Sequence, residues 1–172
     1  MRGRVEVRAI DRRSDSTRYN PAMTIEVYTD GGCFGNPGPG GWAYIMRLRD
    51  NEIARSGFEP STTNNRMELQ AVIHALEDIR SAGYAGDPEA EISTDSQYVQ
   101  RGINEWIDGW IKKGWVTSGK KPVKNQDLWK KLKSLTDSAM VRWRWVKGHA
   151  GNEFNERCDT MVKAAIESRR GA

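Results

Sequence analysis

Cysteine is scarce in this chain: its 172 residues include two, Cys33 and Cys158. Two thiols cannot build the disulfide framework of a small exported domain, so both read as reduced thiols of a cytoplasmic protein. Long hydrophobic runs are missing as well. No stretch approaches the roughly 18 apolar residues that span a bilayer, which excludes a transmembrane segment. The N-terminus lacks the apolar core of a secretory signal. A strong excess of one charge is also lacking, with 27 Lys and Arg against 23 Asp and Glu. Six arginines fall in the first 22 residues, against Glu6, Asp11 and Asp15, which leaves residues 23–172 near neutrality. Any affinity of the main domain for nucleic acid must therefore come from local patches, not from a global field. The glycine-rich stretch 31–41 is not followed by Gly-Lys-Ser/Thr, so it is no Walker phosphate loop. Its glycines read instead as room for close backbone approach by a substrate.

What is present divides into two parts. Residues 1–22 are rich in Arg and Ser and have no apolar periodicity. They read as a disordered basic arm, or equally as an idle leader before a functional start at Met23. From Thr24 the pattern becomes regular, and residues 23–172 read as one α/β domain without internal repeats. Strands are predicted at 24–29, 41–48 and 52–58 as an antiparallel meander, with a turn beginning at Asp30. A helix follows from the polar start Thr62–Asn65, carrying Leu69, Val72, Ile73, Leu76 and Ile79 at helical spacing and stopping at Gly83. A strand at 90–94 ends at Asp95 and, after that helix, should lie parallel to the first strand. Helices are predicted over Ser96–Lys113 and about Gln126–Ser138, then a strand over 140–146. The loop KGHAG leads to a last helix with Cys158, Met161, Val162, Ala165 and Ile166 on one face.

Four carboxylates stand out by position. Asp30 and Asp95 sit at the carboxyl ends of strands, where ligand sites form in α/β sheets. Glu68 lies in the first turn of its helix, beside the apolar stripe. Asp159 flanks the apolar face of the last helix, one turn after Asn155, so both can point the same way. Each alone reads equally as a solvated acid or a helix-start charge. Together they would repel unless a divalent cation sat among them, and an all-oxygen donor set suits Mg²⁺ or Mn²⁺ better than zinc.

The motifs TDGGCFGNPGPGGW, TTNNRMEL, STDSQYV, KKPVKNQDLW and WVKGHAGNEFNERCD, long and mutually spaced from about Thr24 to Ile166, resemble bacterial-type ribonuclease HI. The resemblance implies an RNase H-like fold: a mixed five-stranded sheet flanked by helices. It implies an endonuclease that hydrolyses the RNA strand of RNA–DNA hybrids, leaving 5′-phosphate and 3′-hydroxyl ends. The family's catalytic quartet falls on Asp30, Glu68, Asp95 and Asp159, and its loop histidine on His149. Two Mg²⁺ ions about 3.5–4 Å apart would activate water and stabilise the leaving oxygen, with Asp30 bridging them and Mn²⁺ as an alternative metal. His149, in a glycine-flanked loop, has a pKa suited to a proton shuttle, the alternative being a solvent-exposed loop residue. His74, alone in mid-helix, reads as structural.

An enzyme that spares DNA must sense the 2′-hydroxyl. The resemblance assigns minor-groove contacts to Cys33, Asn36, Asn64, Asn65 and Gln97, with Thr63 near a DNA phosphate, and Asn155, one turn before Asp159, is a further candidate for substrate binding. Asn64 and Asn65 read equally as helix caps. Between residues 104 and 124, Trp106, Trp110 and Trp115 alternate with Lys112, Lys113, Lys120, Lys121 and Lys124. The tryptophans read as packing, while the lysines match the family's basic, phosphate-facing protrusion. A monomer without an obligate protein partner is expected. Two other readings stay open: a DNA-processing nuclease of the integrase or resolvase kind, against which the protrusion and TTNNRMEL argue, and an inactive hybrid-binding module, against which the quartet argues.

Overall fold

The structure, a computed structural model, describes residues 24–83, 89–147 and 151–170. The basic arm and His149 lie outside the described residues. Five strands form one sheet: β1 (Ile25–Cys33), β2 (Gly38–Leu48), β3 (Asn51–Thr62), β4 (Ala90–Thr94) and β5 (Val141–Trp145), in the order β3-β2-β1-β4-β5. The first three make an antiparallel meander, and β4 runs parallel to both β1 and β5. The helices are α1 (Asn64–Ser81), α2 (Gln97–Arg101), α3 (Ile107–Lys112), α4 (Gln126–Asp137) and α5 (Glu153–Arg170). This is the mixed five-stranded α/β architecture expected from the sequence.

Alternation along the strands splits the core between the two faces of the sheet. Val27, Tyr44 and Met46 turn to one side, where Leu69, Val72, Ile73 and Leu76 of α1 pack on them, and Trp129 and Leu132 of α4 extend the same core through the contact of α4 with α1. Tyr28, Ala43 and Ile45 turn to the other, against Cys158, Val162 and Ile166 of α5. Each face thus loses its apolar stripe to a helix, at about 25 cal/mol per Å² removed from water. Gly83 ends α1 with φ of 81°, and its N–H reaches the Arg80 carbonyl, the left-handed stop expected of glycine there.

Three expectations need correction. The turn predicted from Asp30 begins later, because β1 runs on through Gly31, Gly32 and Cys33, which pair with Trp42, Gly41 and Gly40. Asp30 is therefore inside β1, not at its end. The cap of α1 is Thr63, whose hydroxyl accepts from the Arg66 N–H at 3.4 Å, not Asn64 or Asn65. The helix predicted over Ser96–Lys113 is interrupted by a π-helical turn at Gly102–Trp106. A Cβ on Gly102 would stand 2.0 Å from the Trp129 ring, so the buried indole occupies the space that a side chain at this turn would need.

Candidate active site

The register of β1 on β4 pairs Ile25 with Ala90 and Tyr28 with Ser93. Carried two residues further, it brings Asp30 level with Asp95 where β4 has just ended. Asp159 comes in from α5, which packs on β1 and β2. Asp30, Asp95 and Asp159 line one open pocket of about 80 Å³ together with Lys147, Asn152, Asn155 and Glu156. Glu68 does not line that pocket but feels the charge of Asp95. Burial first, then its hydrogen bond and its neighbours, sets its state.

The electrostatics record how crowded these acids are. Burial, then Asp95 and Asp159, and less strongly Glu68, push the Asp30 carboxyl up to about 7, against a lowering by the Gly31 N–H. Burial pushes Glu68 up to about 7 as well, opposed by the Ser96 hydroxyl and reinforced by Asp95. Desolvation and like charges act together here, both disfavouring the anion. Two of the acids have hydrogen-bonding partners of their own. Ser96 Oγ donates to Glu68 Oε2, and Lys163 Nζ lies 2.6 Å from Asp159 Oδ2, one turn along α5. Among the described residues no three His, Cys, Asp or Glu side chains close around a common point as ligands of one ion.

The donor chemistry nevertheless fits a hard divalent cation. The acids supply oxygen alone, and their charge is held at a cost that a cation would relieve. Asn155 Oδ1, in the wall of the same pocket, is buried without a hydrogen-bond partner among the described residues. A buried acceptor with nothing to accept from is costly unless a ligand or water meets it.

Beside the pocket, the turn after β1 is knitted to the start of α1. Asn64 Oδ1 accepts from the Cys33 N–H at 2.8 Å, and the Asn64 N–H donates to Asn36 Oδ1 at 3.3 Å. The Cys33 thiol donates to the Gly35 carbonyl at 2.7 Å and lies 3.8 Å from Asn36 Oδ1. Cys33, Asn36 and Asn64 are thus brought together, with Thr63 next to them as the cap. Asn65 and Gln97 are exposed at the first turns of α1 and α2. Lys112, Lys113, Lys120, Lys121 and Lys124 are all exposed, and none has a carboxylate partner among the described residues. A hydrogen-bonded turn from Thr117 to Lys121 presents two of them. The tryptophans pack as expected, Trp110 lying between Trp106, Trp115 and Trp129 at ring separations of 5.6–6.3 Å. His74 stacks on Trp42 at 4.0 Å and faces Glu77, which accounts for it structurally.

Sequence reasoning passed over four residues of this region. Asn152 caps α5 by accepting from the Phe154 and Asn155 N–H groups, and an Asn just ahead of an acidic first turn was a legible signal. Ser96 follows a strand end and precedes a helix, the pattern of a cap. Lys147 and Glu156 carried no local signal.

A family model for RNase H matches residues 22–167. This chain belongs to the ribonuclease H family. It is 54% identical over 157 residues to the ribonuclease H of Treponema denticola, covering 84% of this chain and 98% of that one. It is 53% identical over 152 residues to the ribonuclease H of Phenylobacterium zucineum, covering 87% and 96%. Among solved structures it is similar to LC9-RNase H1, a type 1 enzyme with the type 2 active-site motif, with a TM-score of 0.75, 31% identity and coverage of 87% and 75%. It is similar also to LC11-RNase H1 in complex with an RNA/DNA hybrid, with a TM-score of 0.65, 28% identity and coverage of 84% and 97%. The chain is accordingly a ribonuclease H enzyme of a metal-dependent family, and no helix among its described residues is long and apolar enough to cross a membrane.

Proposed function

We propose that this ribonuclease H cuts the RNA strand of RNA–DNA hybrids endonucleolytically, leaving 5′-phosphate and 3′-hydroxyl ends, with Mg²⁺ held by Asp30, Glu68, Asp95 and Asp159. The observation that carries this reading is the pocket itself: three aspartates from β1, the end of β4 and α5 share its wall, and Glu68 interacts electrostatically with two of them. Mg²⁺, or Mn²⁺ in its place, supplies a more acidic water and charge compensation for the leaving oxygen. Asp30, central in the charge cluster, would be the principal holder of the metal, and Asn155 Oδ1 accepts from water or substrate at the pocket wall. His149, outside the described residues, moves the proton.

The substrate is held on either side of this pocket. Cys33, Asn36, Asn64, Asn65 and Gln97 read the minor groove, where the 2′-hydroxyl distinguishes RNA from DNA. Thr63 takes a phosphate of the DNA strand. Lys112, Lys113, Lys120 and Lys121 contact backbone phosphates, which fits their exposure and lack of acidic partners among the described residues. LC11-RNase H1 has been seen with such a hybrid bound, and the similarity of the two chains supports the same substrate here. The enzyme acts as a cytoplasmic monomer, and residues 1–22 add no catalytic group. Labelled hybrid, duplex DNA, duplex RNA and single strands, each incubated with the protein and Mg²⁺, test this. Cleavage confined to the RNA of the hybrid is expected. Cleavage of duplex DNA, or binding of hybrid without cleavage, would overturn it.

A further inference from the structure

Ser96 stands between two of the proposed metal ligands: it follows Asp95 in the chain and bonds Glu68 in space. Its side chain is buried, at 4% exposure. The hydroxyl has one proton and two lone pairs, and both kinds of capacity are in use. It accepts from the Val99 N–H at 3.1 Å as the cap of α2, and it donates to Glu68 Oε2. Its own backbone N–H donates to Thr94 Oγ1 at 3.2 Å. The serine is therefore fixed from three directions, by the end of β4, by the start of α2 and by the second turn of α1.

A glutamate has three rotatable bonds, and among the described residues this hydrogen bond is the one that holds the carboxylate of Glu68. A hydrogen bond to an ionised acceptor is stronger than one between neutral groups. It fixes one oxygen and leaves Oε1 the freer to bind. An unpinned Glu68 would have to be ordered by the incoming cation, at the expense of affinity. We infer that Ser96 is a positioning residue of the enzyme, holding the Glu68 carboxylate near Asp95, ready for the metal, through the hydroxyl that also caps α2. The inference rests on the proposed role of Glu68 as a metal ligand.

The two jobs of Ser96 are separable by substitution. Glycine at a cap position loses only a few tenths of a kcal/mol, yet it has no proton for Glu68. Threonine keeps the hydroxyl. The test compares wild type, Ser96→Gly and Ser96→Thr by calorimetric titration with Mg²⁺ alone, by melting temperature, and by kcat and KM on labelled hybrid. Ser96→Gly is expected to melt close to wild type, to bind Mg²⁺ about tenfold more weakly (about 1.4 kcal/mol), and to lose kcat with little change in KM for the hybrid. Ser96→Thr is expected to recover most of both losses. A Ser96→Gly protein with wild-type Mg²⁺ affinity and kcat would overturn the role of Ser96 alone. A wild-type protein that binds Mg²⁺ but leaves the hybrid uncut would instead overturn the proposed activity.

Discussion

Gly31 and Met67 meet backbone to backbone: a Cβ on Gly31 would stand 2.3 Å from the Met67 carbonyl carbon and 2.4 Å from the Glu68 nitrogen. The next residue on one side is Asp30 and on the other Glu68, so this contact sets how far β1 holds one carboxylate from the other. Gly31→Ala must push α1 away from the sheet. Overpacking of this kind costs about 1–3 kcal/mol, and displacing catalytic groups by about 1 Å costs on the order of 10²-fold in rate. Melting temperature and turnover on hybrid should both fall. An alanine variant with normal turnover would show that the spacing of β1 and α1 does not set the site.

Much of this site was legible because its acids sit where regular patterns break. Asp95 ends a β-branched strand, and Glu68 and Asp159 are placed by helical phase beside apolar stripes. The parallel pairing that brings Asp30 beside Asp95 follows from a strand, a helix and a strand in succession. Other features depended on contacts across the fold. Gly31 reads locally as a turn residue, yet the close approach of α1 requires glycine there, within a strand that continues past it. Ser96 looked like an ordinary cap, because its second hydrogen bond, to Glu68, joins residues 28 apart in sequence. The π-helical turn at Gly102 answers to the bulk of Trp129, which hydrophobic periodicity does not encode.

The exposed lysines of the protrusion should act on binding and not on chemistry. Replacing Lys112, Lys113, Lys120 and Lys121 by Ala together should raise KM for hybrid while leaving kcat within about threefold, a loss of uniform binding. Because each neutralised phosphate releases counterions, the slope of log K against log salt should flatten, by roughly 0.9 for each phosphate that no longer meets a lysine. An unchanged slope would mean that these side chains face only solvent.

His149→Ala should slow turnover by roughly 10- to 100-fold, less than the loss of a carboxylate. A proton shuttle can be replaced in part by water, whereas well-placed acid–base groups contribute about 10²–10⁴. Binding of Mg²⁺, followed by calorimetry, should be unchanged. An alanine variant as fast as wild type at pH 7 would remove His149 from the mechanism.

Burial first, and then the neighbouring acids, make Asp30 costly to ionise, and the consequence is a stability that depends on pH. Its carboxyl is raised to about 7 from an ordinary value of 3.8. Between about pH 4 and 7 the folded chain therefore holds a proton that the unfolded chain has released. Folding is favoured in full below pH 4, and this contribution is lost as pH rises through 7. Asp30→Asn removes the titration while keeping the shape. In the absence of metal the variant should melt at or above wild type at pH 8. The advantage should be about 1–2 kcal/mol once water in the open pocket screens the charges, and it should shrink towards zero near pH 4. Mg²⁺ should raise the melting temperature of wild type more than that of the variant, since stabilisation follows RT ln(1 + [L]/Kd), and the variant should not cleave hybrid. The three outcomes are coupled. An inactive Asp30→Asn protein that melts well below wild type at pH 8 would make Asp30 a structural residue and would remove the centre of the proposed metal site.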